Sequence, residues 1–210
     1  MKGDNFNGNA FAKKAIELGA RYCVIDEAEY EIEGVTILVN NVLETLQSLA
    51  TYHRQKLGIP IIGITGSNGK TTTKELILVV LKTQFKATAT QGNLNNHIGV
   101  PLTLLSFTNE TEIGVVEMGA NHQKEIEFLA TICEPDLGYI TNFGKAHLEG
   151  FGGEEGVIKG KSELYTYLKE HNKTALINTE DPIQLKLTSS LNSIVLNNEI
   201  TIKSNQYNTI

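Results

Sequence analysis

The sequence has little cysteine, no tryptophan and only four prolines. Its two cysteines, Cys23 and Cys133, lie far apart and form no CxxC pair. Neither a disulfide framework nor a cysteine-based zinc site is therefore expected. Free thiols buried in a reducing compartment are the simplest interpretation.

An excess of basic charge and a long apolar run are also missing. The 18 Lys and Arg residues face 24 Asp and Glu, giving a net charge of -6, which argues against a nucleic-acid partner. The longest apolar run, Leu76 to Leu81, is far shorter than the ~20 residues that cross a bilayer. The start, MKGDNFNGN, does not resemble a signal peptide. We expect a cytoplasmic protein without a membrane span, and a small phosphorylated substrate remains compatible with this composition.

The order of helical and strand patterns indicates an α/β fold. At roughly 100–200 residues per domain, 210 residues allow one domain and part of another. Alternating patterns predict βαβ units and a mostly parallel sheet flanked by helices. The predicted strands are 22–25, 35–39, 59–65, 113–117, 138–141 and 175–177. The predicted helices are 9–19, 41–58, 71–83, 122–132, 154–170 and 181–191.

A domain boundary is predicted near Gly58, where the second helix ends. Residues 1–58 hold too few elements for an independent domain, so we interpret them as the remnant of one. Residues 59–210 then form a second α/β domain, which we expect to be incomplete. On this interpretation the chain is cut at both ends.

A glycine-rich turn follows the β-branched run 59–65 and carries the strongest functional signal. The segment Gly63-Ile-Thr-Gly-Ser-Asn-Gly-Lys-Thr71 contains the short pattern GxxGKT, although Ile64 stands where the longer GxxxxGKT pattern needs glycine. Glycines let backbone N–H groups approach phosphate oxygens, and the following helix N-terminus favours the negative charge. Lys70 would reach the β/γ phosphates, and the Thr71 hydroxyl could bind Mg²⁺. The alternative is a tight loop with a solvated lysine.

A carboxylate lies at the end of another buried-type strand. Ile113-Gly-Val-Val-Glu117 is an apolar run that ends in glutamate. A phosphate loop needs such an acid on a neighbouring strand to hold Mg²⁺. Glu117 is therefore the candidate metal ligand, and a surface or helix-capping glutamate is the alternative.

Four segments together resemble the Mur ligase family, and within it the MurF type. They are TGSNGKTTTKELI, TQGNLNNHIGVPLTLL, VVEMGANHQKEIEFLATICEPDLGYITNFGKAHLEGFG and KGKSELY. The resemblance implies an ATP-dependent ligase of peptidoglycan precursor synthesis, cytoplasmic and monomeric at full length. It would join D-alanyl-D-alanine to UDP-MurNAc-tripeptide through an acyl phosphate, with ATP and two Mg²⁺ ions. The runner-up functions are a non-catalytic nucleotide-binding module and another amide ligase of the Mur or folylpolyglutamate type.

The resemblance also implies roles for individual residues. The catalytic residues would be Lys70, His147 and Lys161, the last as a carbamate. The nucleotide contacts would be Gly66, Ser67, Asn68, Gly69, Lys70, Thr71 and Thr72. The metal ligands would be Thr71, Glu117, His147 and Lys161. Asn95 and Asn96 would lie near the UDP-sugar substrate, and residues 2–5 resemble a uridine-binding segment.

Each of these roles has a simpler alternative. His147 has glycines around it and could be a solvated loop residue, and Lys161 an ordinary helix lysine. Asn95 and Asn96 could serve turn geometry alone. The resemblance further implies that residues 1–58 belong to the UDP-substrate domain and that the C-terminal domain lies outside this chain. We therefore expect a fragment or truncated product, and whether it is active alone stays open.

Overall fold

The computed structural model describes residues 1–3 and 5–196, which form ten strands and eight α-helices. Two 3₁₀ turns, Gly8–Phe11 and Ala28–Tyr30, complete the elements. The strands are β1 (Lys2–Gly3), β2 (Phe6–Asn7), β3 (Cys23–Ile25), β4 (Thr36–Leu38), β5 (Ile61–Thr65), β6 (Ala87–Ala89), β7 (Ile113–Glu117), β8 (Leu137–Ile140), β9 (Thr174–Asn178) and β10 (Asn192–Leu196). The helices are α1 (Ala12–Glu17), α2 (Val42–Leu57), α3 (Lys70–Leu81), α4 (Gly99–Leu105), α5 (Glu125–Cys133), α6 (Leu148–Phe151), α7 (Glu154–Glu170) and α8 (Pro182–Leu187).

Six parallel strands form the central sheet, in the order β10-β9-β8-β5-β7-β6. Because parallel strands end at the same edge, the segments after β5, β7 and β8 meet there. Two small pairs precede this sheet: β1 with β2, antiparallel, and β3 with β4, parallel. The α/β class with a mostly parallel sheet is thus confirmed.

The two faces of the sheet carry different helices. Successive strand residues point to opposite faces, and Ile61 belongs to the larger core cluster whereas Ile62 and Ile64 belong to the smaller one. The larger cluster lies under α2, α4, α5 and α7, which pack on one another. The smaller cluster lies under α3. The phosphate-loop helix therefore occupies one face while most other helices cover the opposite face.

The helix α2 joins the N-terminal elements to this core. The Asn41 side chain caps its first turn by accepting from the N–H groups of Leu43 and Glu44, as its sequence pattern indicates. The helix packs against α4 and α5, and its Ala50 lies in the larger core cluster.

Several element boundaries agree with the sequence patterns. The strand 113–117 and the helix 154–170 are confirmed at both ends. The helix expected over 9–19 is wrong at its start, because Asn7 caps a 3₁₀ turn and α1 begins only at Ala12. The patterns missed α4, whose Pro101 sits in its first turn, where no intrahelical donor is lost. Residues 197–210 of the expected second domain lie outside the described residues.

Within residues 1–3 and 5–196, no helix is both long and apolar enough to cross a membrane. Both cysteines there are free thiols, and Cys133 is buried as expected, whereas Cys23 is only half-buried. Burial raises the pKa of the Cys133 thiol to about 12, which makes it unreactive.

Candidate active site

The turn after β5 has the backbone that phosphate binding requires. Gly66 has a φ of 140°, and a Cβ there would lie 2.0 Å from Thr141 Oγ1. Gly69 has a φ of 77° and stands just before α3. Gly66 therefore demands glycine, and the left-handed backbone at Gly69 favours it. The turn leads directly into the N-terminus of α3, whose first N–H groups have no intrahelical partner.

Neighbouring loops hold this turn in place. The carbonyl of Asn68 accepts from Thr141 Oγ1 at 2.6 Å and from Asn142 Nδ2 at 3.0 Å. The Ser67 hydroxyl is buried, and its oxygen finds no hydrogen-bond partner among the described residues. Buried polar atoms are nearly always paired, so this hydroxyl is an atom that a bound phosphate would satisfy.

Lys70 closes over the turn that precedes it. Its Nζ donates to the carbonyls of Gly66 at 2.8 Å and Ser67 at 3.3 Å. Burial lowers the pKa of Lys70, and the nearby Glu117 carboxylate partly offsets this shift. Thr71 and Thr72 follow on the first turn of α3 and are exposed. The alternative of a freely solvated lysine is therefore wrong.

Glu117 is buried at the end of β7, with 1% of its surface exposed. Its Oε1 accepts from Asn95 Nδ2 at 2.8 Å, and its backbone N–H donates to Thr90 Oγ1. Its Oε2 has no hydrogen-bond partner within the part of the chain described. The surface-glutamate alternative is wrong. A carboxylate oxygen with free lone pairs fits a magnesium ion.

Asn95 and Asn96 make contacts with the protein that the sequence pattern does not show. Asn95 orients the Glu117 carboxylate, and its carbonyl accepts from the Gly119 N–H at 2.7 Å. Asn96 Oδ1 accepts from the N–H groups of Ile98 and Gly99 at the start of α4. Their substrate role stays a prediction beside these structural roles.

Lys161 lies on α7 with 1% of its surface exposed, so it is not a solvated helix lysine. Its Nζ donates to the carbonyl of Ala120 at 3.1 Å and stands 4.9 Å from the centre of the Phe151 ring. Burial, followed by the charge of Lys70, lowers its pKa to about 8. At neutral pH, the neutral amine that reacts with CO₂ therefore makes up a larger fraction of Lys161 than of an ordinary lysine.

His147 and Lys161, which the resemblance implies as ligands of a second Mg²⁺, do not form a metal site in the structure as they stand. His147 is exposed in the left-handed region, with a φ of 54°, just before α6. No three His, Cys, Asp or Glu side chains of the described residues converge as a metal-binding group. Lys161 as an ammonium has no lone pair to donate, so an unmodified Lys161 does not fit a metal.

A cavity of about 930 Å³ opens beside these groups. It brings together Lys70, Asn95, Asn96 and His147. The helix α2 and the start of α5 add Gln47, Lys124, Glu125 and Phe128, among others. The sequence reasoning missed these lining residues. The resemblance of residues 2–5 to a uridine-binding segment stays a prediction: Lys2 pairs with Glu27 at 2.8 Å, and Asp4 lies outside the described residues.

Comparison with known proteins identifies the family and relatives of the chain. Residues 64–209 match the model of the Mur ligase middle domain. The UDP-N-acetylmuramoyl-tripeptide--D-alanyl-D-alanine ligase of Bacillus subtilis is 41% identical over 88% of this chain and 41% of its own length. The Escherichia coli enzyme of the same name is 36% identical over 92% of this chain and 42% of its length. The chain thus spans about two fifths of these curated relatives.

Two solved structures share the fold. The Acinetobacter baumannii MurF structure superposes with a TM-score of 0.82 and 31% identity, covering 93% of this chain and 44% of that one. The Thermotoga maritima MurF structure, in complex with ADP, gives 0.81 and 31%, covering 93% and 45%. With the matched middle domain and these neighbours, the chain belongs to the Mur ligase family.

Proposed function

We propose that this chain carries the nucleotide- and metal-binding part of an ATP-dependent ligase that joins D-alanyl-D-alanine to UDP-MurNAc-tripeptide. The names of the relatives from Bacillus subtilis and Escherichia coli support this substrate pair. Residues 1–58 would belong to the UDP-substrate domain and residues 59–210 to the central ATP-binding domain. Because ATP and UDP-linked sugars are cytoplasmic compounds, the reaction would take place in the cytoplasm.

One observation carries the proposal: Lys70, Ser67 and Glu117 meet at one edge of the sheet, and two of them present polar side-chain atoms that no hydrogen bond satisfies among the described residues. Ser67 Oγ and Glu117 Oε2 are both buried without a hydrogen bond among the described residues. Such unpaired atoms are rare in folded proteins, although Thr65 Oγ1 and Thr103 Oγ1 are also buried without a hydrogen bond among the described residues. A triphosphate would complete the interactions of Ser67 and Glu117.

Each residue then has a defined task. The backbone from Gly66 to Gly69 would cradle phosphate oxygens, and Lys70 would leave its carbonyl partners to balance the charge of the β/γ phosphates. Glu117 and Thr71 would hold Mg²⁺, which supplies charge neutralisation between the phosphates and the substrate carboxylate. Asn95 would keep the Glu117 carboxylate in the orientation that binding requires.

The chemistry needs this charge balance because a carboxylate is a poor electrophile. Transfer of the γ-phosphoryl group to the peptide carboxylate gives an acyl phosphate with a good leaving group. The amine of D-alanyl-D-alanine then attacks the acyl carbon, forms the C–N bond and releases phosphate. The cavity beside Lys70 and Asn95 is large enough to admit the peptide end of such a substrate.

The test is phosphate release by the protein expressed from its complete reading frame. ATP and UDP-MurNAc-tripeptide are supplied with D-alanyl-D-alanine, or with L-glutamate as the matched control acceptor. Release that depends on D-alanyl-D-alanine supports the proposal. Release only with another acceptor assigns a different Mur-type ligase, and nucleotide binding with no release under any acceptor assigns a non-catalytic module.

A further inference from the structure

A second lysine of α3 is buried and has no part in the roles described above. Lys74 lies one turn after Lys70 and has no exposed surface. An ammonium group removed from water is costly unless partners compensate it. The surroundings of Lys74 must therefore explain why the helix keeps a charge there.

Among the described residues, three oxygen atoms lie within 4 Å of the Lys74 ammonium. Glu75 Oε1 lies at 3.0 Å and the Gly92 carbonyl at 3.3 Å. Glu117 Oε2 lies at 3.9 Å. The first two are within hydrogen-bond distance, whereas the Glu117 contact is too long for a hydrogen bond but close enough for charge attraction.

The two oxygens of Glu117 are thus treated differently. Oε1 is engaged by Asn95 at 2.8 Å, while Oε2 faces a positive charge without accepting a hydrogen bond from it. The Lys74 ammonium thus balances the charge of Glu117, whose surface is 1% exposed. The Glu117 Oε2 lone pairs accept no hydrogen bond from the described residues. Gly92 belongs to the same loop as Asn95, so Lys74 also ties that loop to α3.

We propose that Lys74 is a positioning residue that holds Glu117 ready for a divalent cation. It balances the carboxylate charge without occupying the oxygen that would bind the metal. It acts through Glu117 and does not itself touch nucleotide or substrate. This inference rests on the proposed function, because it assigns Glu117 to the metal of that same site.

The experiment measures Mn²⁺ binding to the 210-residue chain in the presence of ADP, from the electron paramagnetic resonance signal of free Mn²⁺. Lys74→Met should weaken Mn²⁺ binding about tenfold, the size typical when support of a metal ligand is lost. ADP binding without metal, measured in EDTA, should stay within about twofold, because the phosphate loop is unchanged. The matched control is Lys82→Met, which removes an exposed charge at the end of the same helix and should leave Mn²⁺ binding unchanged.

The double variant Lys74→Met/Glu117→Gln separates a role through Glu117 from a general loss of structure. If Lys74 acts through Glu117, adding Lys74→Met to Glu117→Gln should change Mn²⁺ binding less than twofold. Unchanged or tighter Mn²⁺ binding in Lys74→Met, or a full tenfold loss on top of Glu117→Gln, would overturn the inference.

Two further outcomes are also decisive. If wild-type chain binds ADP equally with and without Mn²⁺, the metal role of Glu117 fails and the inference fails with it. If Lys74→Met does not fold, a cooperative unfolding transition regained in the double variant supports charge balance between the two residues. No recovery in the double variant contradicts it.

Discussion

The two ends of the central sheet both collect charged and polar side chains, but only one end pairs them fully. At the carboxyl end of the strands, Ser67 Oγ and Glu117 Oε2 are buried without hydrogen bonds among the described residues. At the amino end, Asp136 binds Arg54 at 2.8 Å and Lys173 at 2.6 Å. On the proposed function, the polar groups at the carboxyl end serve a ligand, whereas the paired charges at the amino end hold the fold together.

The amino-end network joins distant parts of the chain. Asp136 Oδ2 also accepts from the Ile61 N–H at 3.0 Å, and Arg54 donates to the Glu134 carbonyl at 2.8 Å. Burial alone would raise the pKa of Asp136, but the hydrogen bonds from Lys173 and Ile61, together with the Arg54 charge, hold it below its usual value. The network connects α2 to the start of β5 and β8. Both carboxylate oxygens of Asp136 are engaged in it.

The largest effect is expected at the carboxyl end, for Lys161. In the complete protein Lys161→Ala should lose most ligase activity, because the carbamate that could bind the second Mg²⁺ is gone. Lys161→Arg should also be inactive, since it keeps the charge but cannot form a carbamate. Acetate or formate should restore part of the alanine variant's activity, measured as phosphate release at fixed Mg²⁺. Full activity in either variant would make Lys161 an ordinary buried lysine.

Lys70→Ala should weaken ATP binding by roughly one to two orders of magnitude. A charge-assisted hydrogen bond to phosphate contributes about 1.5–3 kcal/mol, and the hydrogen bonds of Lys70 within the described residues go to the Gly66 and Ser67 carbonyls. Folding should change little. Calorimetric titration with ATP is the measurement, and unchanged affinity in a folded variant would show that this lysine does not serve the phosphates.

Asp136→Asn should lower the free energy of unfolding by about 2 kcal/mol. Breaking a fully buried pair costs roughly 3–5 kcal/mol, but the Asp136 side chain is 28% exposed and solvent screens part of the effect. Urea unfolding measures the change. The matched control, Glu110→Gln, breaks an exposed pair with Lys86 and should have almost no effect. Equal effects of the two variants on the free energy of unfolding would show that the pairs of Asp136 with Arg54 and Lys173 do not stabilise the fold.

The smallest effect concerns pH. The pKa of Asp136 is lower in the folded state than its usual value of 3.8, so the unfolded chain binds more protons between the two values. Its contribution to stability is present above pH 3.8 and is lost as the pH falls through the lower, folded pKa. The difference in the free energy of unfolding between wild type and Asp136→Asn should therefore become smaller below pH 3.8. A difference that stays constant through this range would contradict the ionised network.

The sequence predicts the carboxyl end of the sheet far better than the amino end. The signals at the carboxyl end are local, because Gly66, Gly69 and Lys70 lie in one short turn that must bend the backbone and bind phosphate. Arg54 and Asp136 are 82 positions apart, and no local pattern pairs them. Lys74 could have been found, since it falls four residues before Leu78 and so on the apolar face of α3. A lysine on such a face indicates a buried partner.

The central claim is that ligand binding depends on one end of the sheet and stability on the other. Thermal unfolding with and without ADP and Mg²⁺, measured for wild type, Lys70→Ala and Asp136→Asn, tests it most directly. The account predicts that the ligand raises the Tm of wild type and Asp136→Asn by the same amount, and that Lys70→Ala loses this shift while keeping the ligand-free Tm of wild type. A normal shift in Lys70→Ala, or a shift lost in Asp136→Asn, would contradict it.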